Sequence, residues 1–469
     1  AGMCASRVRF VTTWLVLFSH MGPVESVESG WERMDRWRDV VRVEGACALP
    51  GVSIKYDTFV PAMWKAVQGG FISHDDAVFC GEGLRYGFTC GVNVERLQGH
   101  RWFANYPTAV EHRSPVTAAV LKRVSAEKTV DLGRWNTALA AAVRAQHVAS
   151  IIFPMGAVPK NQLLEPGAYR PTDDHTRTGL NAATDLTGLA HSLTAYSDIA
   201  RFLKHNFFMR VSDVDAAFPL LPFHPSLWQF MYFRFFPSDS CDHMHLYAHV
   251  CGDFGTAGMP GVFKRFFDVV VGMARAIHVL TLPMAVYVDD CALIGAIRGV
   301  VDREMVCFHN FAATVCGVYF KAIKDRVASQ EQLVLGFVWD SRTLTRALET
   351  YKLESYLQLL SELIKQPTWT LREMQSLAGK MQRACMTLPP GAASMLMALF
   401  ALMAGLRLPW HRRRVSRQVK SDMKWMHYLL GLTRCRTRRL LYLGGCRRGY
   451  GIEFTQLWTI ATPHRRGGL

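Results

Sequence analysis

The chain has 469 residues, half of them hydrophobic, which is enough to bury several cores and predicts two to four lobes. Its 54 Lys and Arg against 38 Asp and Glu leave a net charge of +16 distributed along the whole sequence, pointing to a polyanionic partner with nucleic acid first. The 12 cysteines are scattered, with no CxxC pair and no Cys/His set at zinc spacing. That pattern argues against a disulfide scaffold or a zinc protein and for a reduced intracellular setting, nucleus or cytoplasm.

The first apolar run, "FVTTWLVLF" at 10–18, is shorter than the roughly 20 residues of a membrane helix and reads as a buried segment, so no membrane partner is expected. Residues 60–150 mix short helical patterns with aromatic loops such as "GLRYGFTCG" and "LQGHRWFANYP". Next, "IIFPMGAVPK" at 151–160 predicts an extended run, "LEPGAYRPTDDHTRTGLN" is rich in turn residues, and "FMRVSDVDAAF" predicts a strand entering a tight bend. Pro260 suits the first turn of a helix whose Val262, Phe263, Phe266, Phe267, Val270 and Val271 share a face, with Lys264 and Arg265 off it. "TLRE" at 370–373 is a capping box opening a helix with Met374, Leu377 and Met381 inward, and residues 350–405 are expected to be mostly helical. Beyond 406 the chain is strongly basic ("HRRRVSRQ", "TRCRTRRL"), suited to phosphate contact without sequence specificity.

The chemistry is concentrated in "AVYVDDCALIG" at 285–295, where Asp289 and Asp290 interrupt an apolar strand–turn–strand pattern. Two like charges beside apolar strands are costly unless paired or bound to a cation. Hard Mg²⁺ takes oxygen ligands, commonly one or two carboxylates plus substrate phosphates, and "VSDVDAAFPLLP" offers a third carboxylate, Asp213, at the end of another strand. Two ions held there would activate a 3′-hydroxyl and stabilise departing pyrophosphate in an in-line displacement. A phosphatase or nuclease using two metals is the competing reading of these acids alone.

"YVDD" at 287–290 resembles the Tyr-x-Asp-Asp signature of reverse transcriptases, and "DVDAAFPLLP" resembles their first palm motif. "GAVPK" and "YRPTDD" resemble the fingers motifs, "FGTAGMPGVF" the glycine-containing loop and helix, "GVYFKAIK" the motif ending in a lysine, and "LVLGFVWD" the primer-grip hairpin; six motifs keep the family's order over about residues 150–340. "GLRYGFTCG", "ANYPTAV" and "LREMQSLAGKMQRA" further resemble the polymerase of tyrosine-recombinase retrotransposons of the DIRS type, with retroviral-type elements as the runner-up.

The resemblance implies an α+β right-hand polymerase, with an antiparallel-sheet palm carrying helices on one face, fingers and a helical thumb. The expected segments are an N-terminal region at 1–99, fingers and palm at 100–345, a thumb at 346–405, and a basic tail at 406–469 with a truncated ribonuclease H-like remnant. In that remnant "SDMKWMHYLL" fits a helix, while "LGGCRRGYG" puts Gly444 where the first catalytic Asp belongs, against ribonuclease H activity.

By the same resemblance Asp213 and Asp289 are the principal ligands of two Mg²⁺ ions, or Mn²⁺ in their place, with Asp290 supporting and the Val214 carbonyl as a further oxygen. Lys160 and Arg170 contact the incoming triphosphate, and Lys324 is the candidate general acid toward pyrophosphate. Phe218 lies beneath the sugar and excludes a 2′-hydroxyl, Phe254 and Gly255 fall at substrate-binding positions, and Tyr287 touches the primer end or packs. The implied partners are an RNA or DNA template-primer duplex and deoxynucleoside triphosphates. The alternative is a decayed retroelement copy that only binds nucleic acid, to which Pro171 and Thr172, polar or rigid where the family has apolar residues, lend support.

Overall fold

The computed structural model describes residues 28–160, 167–189, 195–389 and 391–432, and nothing of the side chains of Ala195 and Lys324. The apolar run at 10–18, the stretch around Gly444 and the last basic residues therefore lie outside the described residues. The chain divides into two compact units, the first within 1–198, 210–293 and 299–328, the second within 199–209, 294–298 and 329–469.

Among the described residues ten strands precede residue 296: β1 (His100–Trp102), β2 (Thr129–Arg134), β3 (Ser150–Phe153), β4 (Met155–Pro159), β5 (Tyr169–Asp173), β6 (Phe208–Asp213), β7 (Tyr232–Phe235), β8 (His245–His249), β9 (Met284–Tyr287) and β10 (Asp290–Gly295). Five form a mixed sheet in the order β1-β3-β7-β8-β2, with β1, β3 and β7 parallel to one another and β8 antiparallel to β7 and β2. β3 is buried on both faces and reads Ser-Ile-Ile-Phe, the continuous apolar run that parallel pairing favours. Phe153, Phe233 and Tyr247 stack across the sheet at centroid distances of 5.4 and 5.2 Å. "IIFPMGAVPK" is thus two strands, split at Pro154, which cannot donate to a ladder.

The helix Met259–Ala276 has Pro260 in its first turn and buries Val262, Phe263, Phe266, Phe267 and Val270, as its spacing predicts, while Val271, expected on the same face, is half-buried and Val269 is buried. Each fully buried Phe contributes about 1.5–3 kcal/mol. Off that face, Arg265 pairs with Asp76 at 2.7 Å and Lys264 with Asp268. Between residues 28 and 99 the main elements are the helices Gly30–Val43, Tyr56–Gln68 and His74–Tyr86.

In the second unit, β11 (Glu331–Val334), β12 (Phe337–Asp340) and β13 (Thr345–Leu348) form an antiparallel meander. Its first turn has two residues, Leu335 and Gly336, both at positive φ (52° and 72°), so "LVLGFVWD" is a tight hairpin. Helices Thr350–Lys365 and Leu371–Cys385 follow, the latter capped reciprocally by Thr370 and Glu373 as its sequence requires. Residues 350–405 are mostly helical, as expected, with one short interruption: β14 (Thr368–Thr370) pairs with β15 (Arg412–Arg414), and Trp369 is buried there with its Nε1 donating to the Leu363 carbonyl at 2.7 Å. "SDMKWMHYLL" lies within the helix Arg417–Leu432.

This mixture of helices and separate sheets is an α+β fold. Among the described residues no helix is long and apolar enough to cross a membrane, and nine of the cysteines are free thiols.

Candidate active site

β6, β10 and β9 form a separate three-stranded sheet in that order, and its strand ends carry the acids. β9 and β10 pair antiparallel with Asp290 opposite Tyr287, so Val288 and Asp289 alone make the turn. Val288 sits at φ 54°. Hairpin turns of two residues need positive φ and favour glycine or asparagine there; a β-branched residue costs of order 1–3 kcal/mol. The strained residue lies between the tyrosine and the two aspartates.

The tip of this hairpin meets the end of β6 through backbone: the Val214 N–H donates to the Asp289 carbonyl at 2.9 Å. On the other side of β6, the Lys321 N–H donates to the Asp213 carbonyl at 2.9 Å and the Asp215 N–H to the Tyr319 carbonyl at 2.8 Å. Ala216, at φ 49°, begins the bend that turns the chain into the short 3₁₀ helix Phe218–Leu220. Asp213 is 3% exposed, whereas Asp289 and Asp290 are half-buried.

Asp213 and Asp289 are therefore brought together from positions 76 apart in sequence, with Asp290 beside them. Their carboxylates are hard oxygen donors of the kind Mg²⁺ prefers, so the donor set fits the ion. The three side chains do not form one of the groups whose ligand atoms all lie within 4.8 Å of one another; among the described residues those groups are Asp173/His249/Asp253 and Cys241/Asp242/His243. A cation does contact Asp213: Lys321 Nζ forms an ion pair with its Oδ1. The sequence motif points to Lys324, three residues further on, and does not single out Lys321. Lys324 ends the 3₁₀ turn Ala322–Lys324, and its side chain is outside the described residues.

Strand alternation sends Arg210 and Ser212 to the face opposite Asp213. There Arg210 grips Asp325 with Nε at 3.0 Å and Nη2 at 2.6 Å, and reaches Asp302 at 3.2 Å. Ser212 Oγ lies 2.8 Å from His309 Nε2. Burial, with the Arg210 charge in the same direction, lowers the His309 pKa to about 4 against the pull of Asp325. Burial acts to raise the Asp325 carboxyl, but Arg210 and His309 hold it below its ordinary value. This network fastens the strand that ends in Asp213.

The other expected contacts fall in two places. Lys160 immediately follows β4, and Arg170 is exposed on β5, which pairs with β4 so that Val158 faces Arg170 and Pro159 faces Tyr169. The two cations share one end of the hairpin, and the Lys160 N–H donates to the Ala168 carbonyl at 2.9 Å. Pro171 and Thr172 are accommodated inside β5. Phe218 is 6% exposed, with its ring 5.0 Å from Phe254 and 5.9 Å from Phe263; Phe254 itself is 69% exposed. Tyr287 is half-buried, 6.0 Å from the ring of Tyr196. Gly255 lies close against backbone: a Cβ there would be 2.2 Å from the Asp173 carbonyl oxygen, so the neighbour is the chain itself.

Together these features place the chain in the class of right-hand polymerase folds. Among solved structures it is similar to that of a foamy viral protease-reverse transcriptase dRH in complex with ds DNA, at 13% identity and TM-score 0.51, covering 73% of this chain and 51% of that one. It is also similar to the foamy viral protease-reverse transcriptase in complex with RNA/DNA hybrid, at 15% identity and TM-score 0.50, covering 71% of this chain and 38% of that one. The chain thus has a reverse transcriptase-like fold and spans about half the length of the first of these neighbours or less. No protein-family model and no curated protein matches it.

Proposed function

We propose that the chain is an RNA-directed DNA polymerase of a retroelement, most like the DIRS type, adding deoxynucleotides to a primer 3′-hydroxyl. The observation that carries this reading is the backbone junction between Val214 and Asp289, which sets the β6 terminus and the strained Tyr287–Asp290 hairpin side by side. Asp213, Asp289 and Asp290, with the Val214 carbonyl, would hold two Mg²⁺ or Mn²⁺ ions, which supply charge stabilisation for the attacking and leaving oxygens. Lys160 and Arg170, at one end of the β4–β5 hairpin, orient the triphosphate, Arg by paired hydrogen bonds and Lys as a point charge. Phe218, held from behind by Phe263, fills the space a 2′-hydroxyl would need. Lys321 compensates the buried Asp213 charge.

The test is extension of oligo(dT) on poly(rA) with Mg²⁺ and dTTP by the wild type and Asp289→Asn. Extension by the wild type alone supports the reading. A folded wild type that binds the duplex and adds nothing leaves the second reading, a copy that only binds nucleic acid, which the Lys321–Asp213 ion pair and the unconverged carboxylates favour.

A further inference from the structure

We propose that Asp173, His249 and Asp253 form a second, buried site for one divalent transition-metal ion of the zinc class. Asp173 is the last residue of β5, His249 the last of β8, and Asp253 lies four residues beyond it; one ligand atom from each falls within 4.8 Å of the others. His249 is 2% exposed, and its Nδ1 lies 2.7 Å from Thr129 Oγ1. Its Nε2 has no hydrogen-bond partner and faces Asp173 Oδ2 at 3.8 Å. With the Nδ1 proton donated to Thr129, Nε2 presents a bare lone pair inside the fold, which is the arrangement of a metal-bound imidazole oriented by an outer hydrogen bond.

The acids are prepared in the same way. Asp253 Oδ1 accepts from the Gly255 and Thr256 N–H groups at 3.0 and 2.9 Å, and Oδ2 accepts from His175 Nε2 at 2.7 Å, leaving Oδ2 a further lone pair. Burial, reinforced by the Asp253 charge, pushes the Asp173 carboxyl up, and burial pushes the His249 imidazole well down. The charged groups around the cluster are His175, Asp174 and Arg123, whose Nη2 donates to the Gly252 carbonyl at 3.1 Å. A divalent ion would neutralise both carboxylates and use the free nitrogen. One imidazole nitrogen with two carboxylate oxygens suits Zn²⁺, Mn²⁺ or Fe²⁺ better than Mg²⁺. Zinc ligands about 2.1 Å from the ion stand roughly 3.4 Å apart, so the 3.8 Å separation closes with a small shift. An ion here would tie the base of the β4–β5 hairpin to the loop bearing Phe254, and through it to Phe218.

The test needs no polymerase activity. The full chain is stripped with chelator, kept in excess Mg²⁺ and titrated with Co²⁺. Visible d–d bands saturating at one equivalent and bleached by Zn²⁺ are expected, with a Tm raised by Zn²⁺. Asp289→Asn and Cys241→Ser should keep the bands, and His249→Gln or the isosteric Asp173→Asn should abolish them. If neither of these two variants folds, bands that persist in Asp289→Asn and Cys241→Ser without thiolate charge-transfer absorption support the site. A folded wild type without bands, or bands that survive His249→Gln or vanish in Cys241→Ser, overturns it.

Discussion

Lys321 and Asp213 are joined twice, by an ion pair between Nζ and Oδ1 and by the Lys321 N–H donating to the Asp213 carbonyl at 2.9 Å. Asp213 is almost fully buried, so its charge needs a cation, and a metal ion entering the palm would compete with the lysine for it. Lys321→Met should lower stability without metal by about 1–3 kcal/mol and make the Mg²⁺-induced rise in Tm larger than in the wild type. Equal Mg²⁺ responses by calorimetry would mean that Asp213 is not a ligand.

Val288 makes a second prediction. Its φ of 54° suits glycine, which carries no Cβ penalty there. Val288→Gly should therefore raise stability by about 0.5–1 kcal/mol in urea titration, despite the added freedom of the unfolded chain. A loss of that size instead would show that the valine side chain contributes more than its backbone strain costs.

Phe218 separates a specificity effect from a packing effect. Phe218→Val removes most of a buried ring that packs against the buried Phe263 and the exposed Phe254, and should cost about 1–3 kcal/mol. It should also raise UTP incorporation relative to dTTP by at least tenfold in single-nucleotide extension. Unchanged selectivity in a folded variant would assign Phe218 to the core alone.

The pH dependence follows from His309. Its pKa is about 4 in the fold and about 6.5 when unfolded, so the unfolded chain binds the proton first. Its neutral form supports the fold fully above pH 6.5, and that contribution, roughly 2–3 kcal/mol at most, is lost as pH falls from 6.5 to 4. His309→Gln should flatten the fall of stability across that window. The buried His249 acts in the same direction, so the slope should shrink without vanishing.

Arg170 gives a kinetic prediction. Arg170→Ala should raise KM for dTTP several-fold while leaving duplex affinity unchanged, and Arg170→Lys should restore only part, since an ammonium cannot make the paired contact. Loss of duplex binding in a filter assay would place Arg170 on the template-primer instead.

The local elements and the order of the motifs are legible in the residues alone. The capping box at Thr370 and Glu373, the helix opened by Pro260 and the tight turn at Leu335–Gly336 depend on neighbours three or four residues away, and spacing displays such relations. The sequence also singles out Asp213, Asp289 and Asp290, since charge inside an apolar run is visible without a fold. Which groups meet depends on the folded chain. The Lys321–Asp213 pair closes over 108 residues and the Asp173–Asp253 cluster over 80, and no periodicity records a contact of that range. Zinc-ligand spacing is a relation between residues close together in the chain, whereas the Asp173/His249/Asp253 cluster proposed here as a metal site is drawn from β5, β8 and the loop after β8. The positive φ at Val288 was equally hidden, because strand pairing on both sides, and not the residue's own preference, imposes the turn.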